Sequence, residues 1–410
     1  MRCVHVAHRL KIFIRLYNGE HDYYIAKCVQ EPYTTMIYYL YTFLYDTLRG
    51  MLFDTLKKKL FSPHAYIGCD IGTTSIKLVE LAKEGQYTHL RNYALLESYG
   101  HFERSNNVIQ ANDLKISQNE TVELLKTVLS KTHFSSVGVV ASVPSFASFI
   151  TAIEVPQMSD DETNKTMTFQ IKEHIPLPLS EIAVDWIRVG QREDENGFTK
   201  QQILLVALPR DTIERYRMIF KAAGLSLHAL EVEPLAYARA VIGNDQTPTL
   251  IMDIGARSTN ITVSDQGFVK HNVQIDYAGD TLTSAIAKGL GVNARRAEEL
   301  KKQKGIVGGR GEYELSTLEI PFVDVILHEA DKARVHVEGM LGIKIQRILI
   351  IGGGALLIGL EAYVEQKLGI PTMRGNGLLY VQTPPQLAAV SKELEARFAT
   401  AIGLAIKGFV

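Results

Sequence analysis

Residues 66–81, YIGCDIGTTSIKLVEL, form a short apolar strand that ends on an acidic residue, turns through Gly-Thr-Thr-Ser and resumes as an alternating strand. Residues 249–264, TLIMDIGARSTNITVS, repeat it, with Asp253-Ile254-Gly255 falling on Asp70-Ile71-Gly72 and Ser258 on Ser75. A hairpin that occurs twice so far apart constrains the chain to two homologous halves able to face each other across a cleft. An Asp-x-Gly turn is also ordinary hairpin chemistry, and the second copy is what favours a phosphate-binding reading. In that reading Gly72 lets several N–H groups point at one spot, and Thr73, Thr74 and Ser75 add hydroxyl donors. Lys77 follows as an available cation. A carboxylate repels phosphate, so Asp70 fits such a site only with Mg2+ between the two, bound directly or through water.

At 410 residues the chain is long enough for two or more domains, and 46% apolar with 22% charged residues is a globular composition. A net charge of -1 argues against a nucleic-acid binder. Cys3, Cys28 and Cys69 have no metal spacing and no disulfide framework, which fits a reducing compartment, and Cys69 reads as a small buried hydrophobe. Residues 1–50 differ from the rest in being rich in tyrosine and in having no strand or helix period. Their apolar run at 36–45 falls short of the roughly 20 residues a spanning helix needs, and no signal-peptide cleavage pattern follows. The expectation is a non-family extension with Met51 as the start; an added arm or a membrane-interacting segment is the competing reading. Residues 51–65 form a basic amphipathic lead-in.

Further along, the pattern predicts a third strand at 87–98, a helix at 117–133 and a buried strand at 137–143. Residues 153–225 read as a small α+β insert: a helix capped at Ser159 and running to about 174, strands at 184–189 and 202–208, and a helix at 211–223. Trp186 is expected in a core or an interface. Glu233-Pro234 opens the next helix; Pro234 suits a first helical turn, and the Glu233 carboxylate can orient a water or a hydrated metal. The second half predicts strands at 249–254, 260–264 and 268–274, a helix from 279, and a charged helix at 294–304 with Glu298 and Lys301 three apart. Such a pair is ordinarily solvated surface. A long helix at 321–341 precedes RILIIGGGALLIGL, whose Gly352, Gly353 and Gly354 let backbone approach a flat ligand, with a helix N-terminus behind them. Residues 399–407, ATAIGLAIK, are a small-residue helix suited to close packing.

This order of phosphate hairpin, Glu-Pro helix, second hairpin, triple glycine and closing small-residue helix resembles the actin-like ATPase superfamily over residues 66–407. Actin, sugar kinases and heat-shock chaperone ATPases belong to it. The start MLFDTLKKKLFSPHAYIGCDIGTTSIKLVEL, together with VPQMSDDE, HIPLPLSEI, EVEPLAYARA, YAGDTLTSAIAKGLG and AEELKKQKG, most resembles the PilM family of type IV pilus assembly. The resemblance implies an α/β fold of duplicated actin-like (ribonuclease H-like) domains around a nucleotide cleft. It places the first domain at 66–152, the insert at 153–225 where the cell-division protein FtsA carries its extra subdomain, a connecting helix at 226–247, the second domain at 248–382 and a returning C-terminal helix at 383–410.

The resemblance also implies ATP and Mg2+ as cofactors. Gly72, Thr73, Thr74 and Ser75 would hold the terminal phosphates from one side, and Gly255, Ser258 and Thr259 from the other. Asp70 and Asp253 would organise the metal, Glu298 and Lys301 approach the ribose, Gly352, Gly353 and Gly354 hold the adenosine, and Glu233 positions water. Arg257 departs from the usual small or hydroxyl residue, and the role of Lys77 stays open. The implied function is a cytoplasmic ATP-binding scaffold, peripheral to the inner membrane, with slow ATPase at most. It would dock the cytoplasmic N-terminal tail of the membrane protein PilN in a groove near residues 143–148. The alternatives are a sugar-type kinase and an FtsA-like polymerising membrane adaptor.

Overall fold

The computed structural model describes residues 12–17, 22–27, 65–98, 118–175, 178–193, 196–306 and 313–410. The apolar run 36–45 and residues 51–64 of the lead-in lie outside these.

The first hairpin is β3 (Ala65–Ile71) and β4 (Ser75–Glu84), in a register that sets Ile71 against Ile76 and Asp70 against Lys77. Beside it lie β5 (Tyr87–Ser98), β6 (Gly138–Val143) and β10 (Ser226–Val232), in the sheet order β5-β4-β3-β6-β10. β6 and β10 run parallel to β3, so long crossovers must cover the faces of the sheet. One face carries α1 (Gln118–Lys131) and α3 (Arg210–Ala222), whose Leu125, Val128, Tyr216 and Phe220 bury Ile67, Cys69 and Val139. The other face carries α4 (Glu233–Val241) and α10 (Ala399–Lys407), packed so closely that a Cβ on Gly68 would strike the Ala401 carbonyl, and one on Gly403 the Ala236 carbonyl. Two strands absent from the sequence expectation, β1 (Ile12–Tyr17) and β2 (Asp22–Lys27), form a hairpin that extends the sheet beyond β5.

The second lobe repeats this plan. β11 (Thr249–Ile254), β12 (Thr259–Asp265), β13 (Phe268–Ile275), β14 (Arg347–Ile351) and β15 (Thr372–Arg374) stand in the order β13-β12-β11-β14-β15. Three antiparallel strands are followed by two parallel ones, as in the first sheet. Even the irregularities correspond: the ladder slips between Glu80 and Leu81 in one lobe and between Val263 and Ser264 in the other. α5 (Gly279–Leu290), α6 (Ala294–Lys304), α7 (Tyr313–Leu341) and α8 (Leu360–Leu368) belong to this lobe, and α9 (Ser391–Arg397) leads back to α10. α7 begins well before Pro321, which sits inside the helix and does not start it. The triple glycine enters a single 3-10 turn, Gly353–Leu356, and the helix starts only at Leu360, so the expected helix N-terminus directly behind the glycines is not there.

Between β6 and α3 the insert folds as a three-stranded antiparallel sheet of β7 (Phe149–Pro156), β9 (Thr199–Pro209) and β8 (Ile182–Glu193), in that order. α2 (Asp160–His174) covers one face, held at its start by a reciprocal cap in which Ser159 and Glu162 each bond the other's backbone. Met167 of α2 closes over Ile153, Val155, Ile203 and Leu205, with Trp186 half-buried at the margin. The strands extend beyond the expected 184–189 and 202–208, because their polar ends still pair although only the middle is buried.

Candidate functional site

Both Asp-Ile-Gly turns open into one cavity of about 430 Å3 between the lobes. In each, the glycine N–H closes the turn on the serine carbonyl, Gly72 on Ser75 at 2.8 Å and Gly255 on Ser258 at 3.1 Å. The two hairpins are therefore the same local structure as well as the same sequence pattern. Gly72, Thr73, Thr74, Ser75, Asp70 and Lys77 line the cavity from the first lobe, and Asp253, Gly255, Arg257 and Ser258 from the second. Gly352, Gly353 and Gly354 complete the wall. Gly352 has φ +81°, and a Cβ there would stand 2.5 Å from Asp253 Oδ1, so only glycine lets this loop lie against the second turn.

Asp70 is 5% exposed; its Oδ2 accepts from Lys77 Nζ at 3.0 Å and its Oδ1 from Ser142 Oγ at 3.0 Å. Lys77 thus holds the carboxylate at the cavity wall, which gives it a definite place. Glu233, also 5% exposed, lines the cavity from the first turn of α4 and accepts from Asn260 Nδ2 at 3.2 Å. Glu298 and Lys301 are not solvated surface: they pair at 2.6 Å, both largely buried, and share Thr283, whose hydroxyl meets Glu298 at 2.6 Å and Lys301 at 2.7 Å. Burial pushes the Glu298 carboxyl up, but the Lys301 and Lys302 ammoniums beside it more than offset this and hold it below its ordinary range. Thr259 does not line the cavity; it is buried, and its hydroxyl donates to the Tyr277 carbonyl at 2.7 Å.

Asp280 was not expected in the site. The Asp280 and Gly279 N–H groups bond the Ala256 and Gly255 carbonyls at 2.7 and 3.1 Å, which stitches the start of α5 to the second turn and carries the Asp280 carboxyl into the cavity. Burial raises that carboxyl to about 6, against the pull of Lys301 and with a further push from Glu298. Its sequence signal is a Gly-Asp step two residues after Tyr277, which by spacing alone reads as a helix start. Glu97 and Arg397, paired with each other, also line the cavity, and nothing in their local sequence sets them apart. In all, seven carboxylates and five basic side chains face this space, so a polyphosphate would enter only with a cation. Among the described residues no group of three or more His, Cys, Asp or Glu side chains is placed to hold a metal by itself. Asp70 and Asp253, one from each turn, fit a hard cation that keeps waters and takes its remaining ligands from phosphate oxygens.

Two lobes of one topology, each presenting an Asp-Ile-Gly turn to a shared cleft, define an actin-like fold. A solved structure titled "PilM-PilN type IV pilus biogenesis complex" superposes with a TM-score of 0.69 at 21% identity, covering 84% of this chain and 98% of that one. The family model described as "Type IV pilus assembly protein PilM" matches residues 68–409, and the chain belongs to this family of actin-like pilus assembly proteins. Among curated proteins it is similar to the cell division protein FtsA of Neisseria meningitidis, 23% identical over 216 residues that make up 47% of this chain and 50% of that protein. FtsA of Pseudomonas aeruginosa is 30% identical over 109 residues, a quarter of each chain. The chain therefore spans half or less of the curated relatives it matches.

Proposed function

We propose that this protein binds Mg-ATP between its lobes and serves as a nucleotide-responsive cytoplasmic scaffold that docks the tail of PilN at the inner membrane. The observation that carries the reading is the pair of Asp-Ile-Gly turns facing one cavity beside a glycine loop that only glycine can form. The turn N–H groups and the hydroxyls of Thr73, Thr74, Ser75 and Ser258 would hold the phosphates. Asp70 and Asp253 would hold the ion through water, and Glu298 and Lys301 would lie along the ribose. Mg2+ would supply charge neutralisation of the phosphate chain. Glu233 fits the orientation of a water, and no second group stands out as a base, which supports slow hydrolysis. Calorimetric titration of the full chain tests this. Asp253→Asn should weaken Mg-ATP binding by about 1–3 kcal/mol, the scale of a lost charged hydrogen-bonding group. Wild-type affinity in both Asp253→Asn and Asp70→Asn would remove the assignment.

Partner docking is supported by an exposed aromatic side chain beside the insert. Phe146 is 51% exposed, next to Ser145, whose buried hydroxyl has no hydrogen-bond partner among the described residues. An exposed aromatic beside an unsatisfied hydroxyl suits an extended peptide, whose backbone supplies bonds while a few side chains fill pockets. No described helix is long and apolar enough to cross a membrane, so attachment through a partner fits. A synthetic PilN tail peptide should bind saturably, and Phe146→Asp should abolish that binding without changing ATP affinity.

A further inference from the structure

The insert emerges from the first lobe, yet the face of its sheet opposite α2 is buried on the second. Val189 of β8 and Leu204 of β9 join Val269 of β13 in one apolar cluster. Beside them Lys270, only 3% exposed, reaches out of β13 into the insert, where its Nζ donates to the Val189 carbonyl at 2.5 Å and to Gln202 Oε1 at 3.0 Å. The Val189 carbonyl is free to accept because β8 bulges there: its pairing with β9 passes from Arg188 directly to Gly190. Gly190 leaves the space the ammonium occupies, since a Cβ would stand 2.5 Å from Lys270 Nζ and 3.0 Å from Gln202 Oε1. Gln202 is held in turn by the insert, its Nε2 donating to Glu154 Oε1 at 3.3 Å. On its own lobe the ammonium is balanced by Asp265, at the end of β12. A buried ammonium is costly unless its bonds are met, so this one favours the arrangement that meets them.

We propose that Lys270 pins the insert to the second lobe, making the insert a strap between the lobes through which the cleft's occupancy reaches the insert's outer surface. The chain itself joins the lobes at residues 242–248 and again after β15; the strap adds a tie through the insert. Lobe rotation must then either carry the insert along or break the pin. The pin stands on the contacts alone, whereas the transmission rests on the nucleotide reading above.

Hydrogen exchange on the full chain separates the two. In the ligand-free protein, Lys270→Met, which keeps the aliphatic stem, and Gly190→Ala, which fills the space from the other side, should each speed exchange in β8 and β13 together by about tenfold, the effect of losing one buried charged hydrogen bond. β3 and β6 should stay unchanged, which also shows that the variants are folded. The double variant should go no further than the larger single one. Unchanged exchange at β8 and β13 in both variants overturns the pin, whether or not nucleotide binds. With Mg-ATP, the wild type should gain protection at the two turns and in β8 and β9, and Lys270→Met should keep the first and lose the second. Insert protection that survives in Lys270→Met overturns the transmission. If the wild type shows no protection at the turns, the nucleotide reading fails and the transmission with it, while the ligand-free comparison still decides the pin.

Discussion

Glu319 on α7 is buried, and neither of its carboxylate oxygens has a hydrogen-bond partner among the described residues. Burial raises this carboxyl to about 8, with Lys301 pulling it down and Glu298 pushing it up. Between its ordinary value of 4.5 and 8 the folded protein therefore holds a proton that the unfolded chain releases, so stability present below that window is lost as pH rises through it. We expect Glu319→Gln to raise the melting temperature of the ligand-free protein by several degrees at pH 8.5, with the advantage shrinking to nothing near pH 4.5. A constant difference across that range would assign the effect to packing. Glu319 and Asp280 share a reason for escaping a sequence reading: each is an ordinary helical acid until a second element closes over it. Glu298 and Lys301 were legible as a pair, but their burial was not, because i,i+3 spacing is the same on a wet face and a dry one. Thr259 shows the opposite limit. It follows Ser258 in the motif, yet strand alternation turns it into the lobe, where its hydroxyl meets the Tyr277 carbonyl.

The two hairpins were readable in full because their chemistry is local: strand, acidic end, glycine turn, strand. So were α2 with its cap at Ser159 and α10 with its run of small residues. The strands β7 and β10 were missed. β7 alternates apolar and polar residues next to a Val-Pro step that reads as a break, and β10 is short, half-exposed and defined mainly by its parallel pairing with β6. Pairing between distant segments leaves little local trace. Element-scale tests follow from the close contacts. Gly403→Ala would drive a methyl into the Ala236 carbonyl and force α10 away from α4, at a cost of about 1–3 kcal/mol or more. Ser159→Ala should remove the cap of α2 for about 1 kcal/mol and leave cleft binding alone. Denaturant melts of both variants check the ranking, and a harmless Gly403→Ala would mean that α10 is not held where it stands.

In the proposed binding mode one ligand would touch turns from both lobes, so its binding should stabilise the molecule as a unit. Mg-ATP at about a hundred times its dissociation constant should add about 2.7 kcal/mol to unfolding, read as an upward shift of the thermal transition. Turnover should stay below about 10 per second, the usual enzyme median, since the site offers positioning without a committed base. The duplication was legible from the sequence as two motifs, and the structure extends it to strand order and to the position of the ladder slip. How the insert contacts the second lobe was not legible, because it depends on one lysine and one bulge meeting between distant segments. The packing of α10 against β3 and α4 bears on how the chain is made. The second lobe has its strands in one continuous stretch, from β11 to β15. The first lobe, although begun earlier, leaves Gly68 and Ala236 uncovered until α10 has been made. Until then the strip of its sheet beneath α10 stays uncovered, so the lobe begun first is completed only by an element made after the strands of the second.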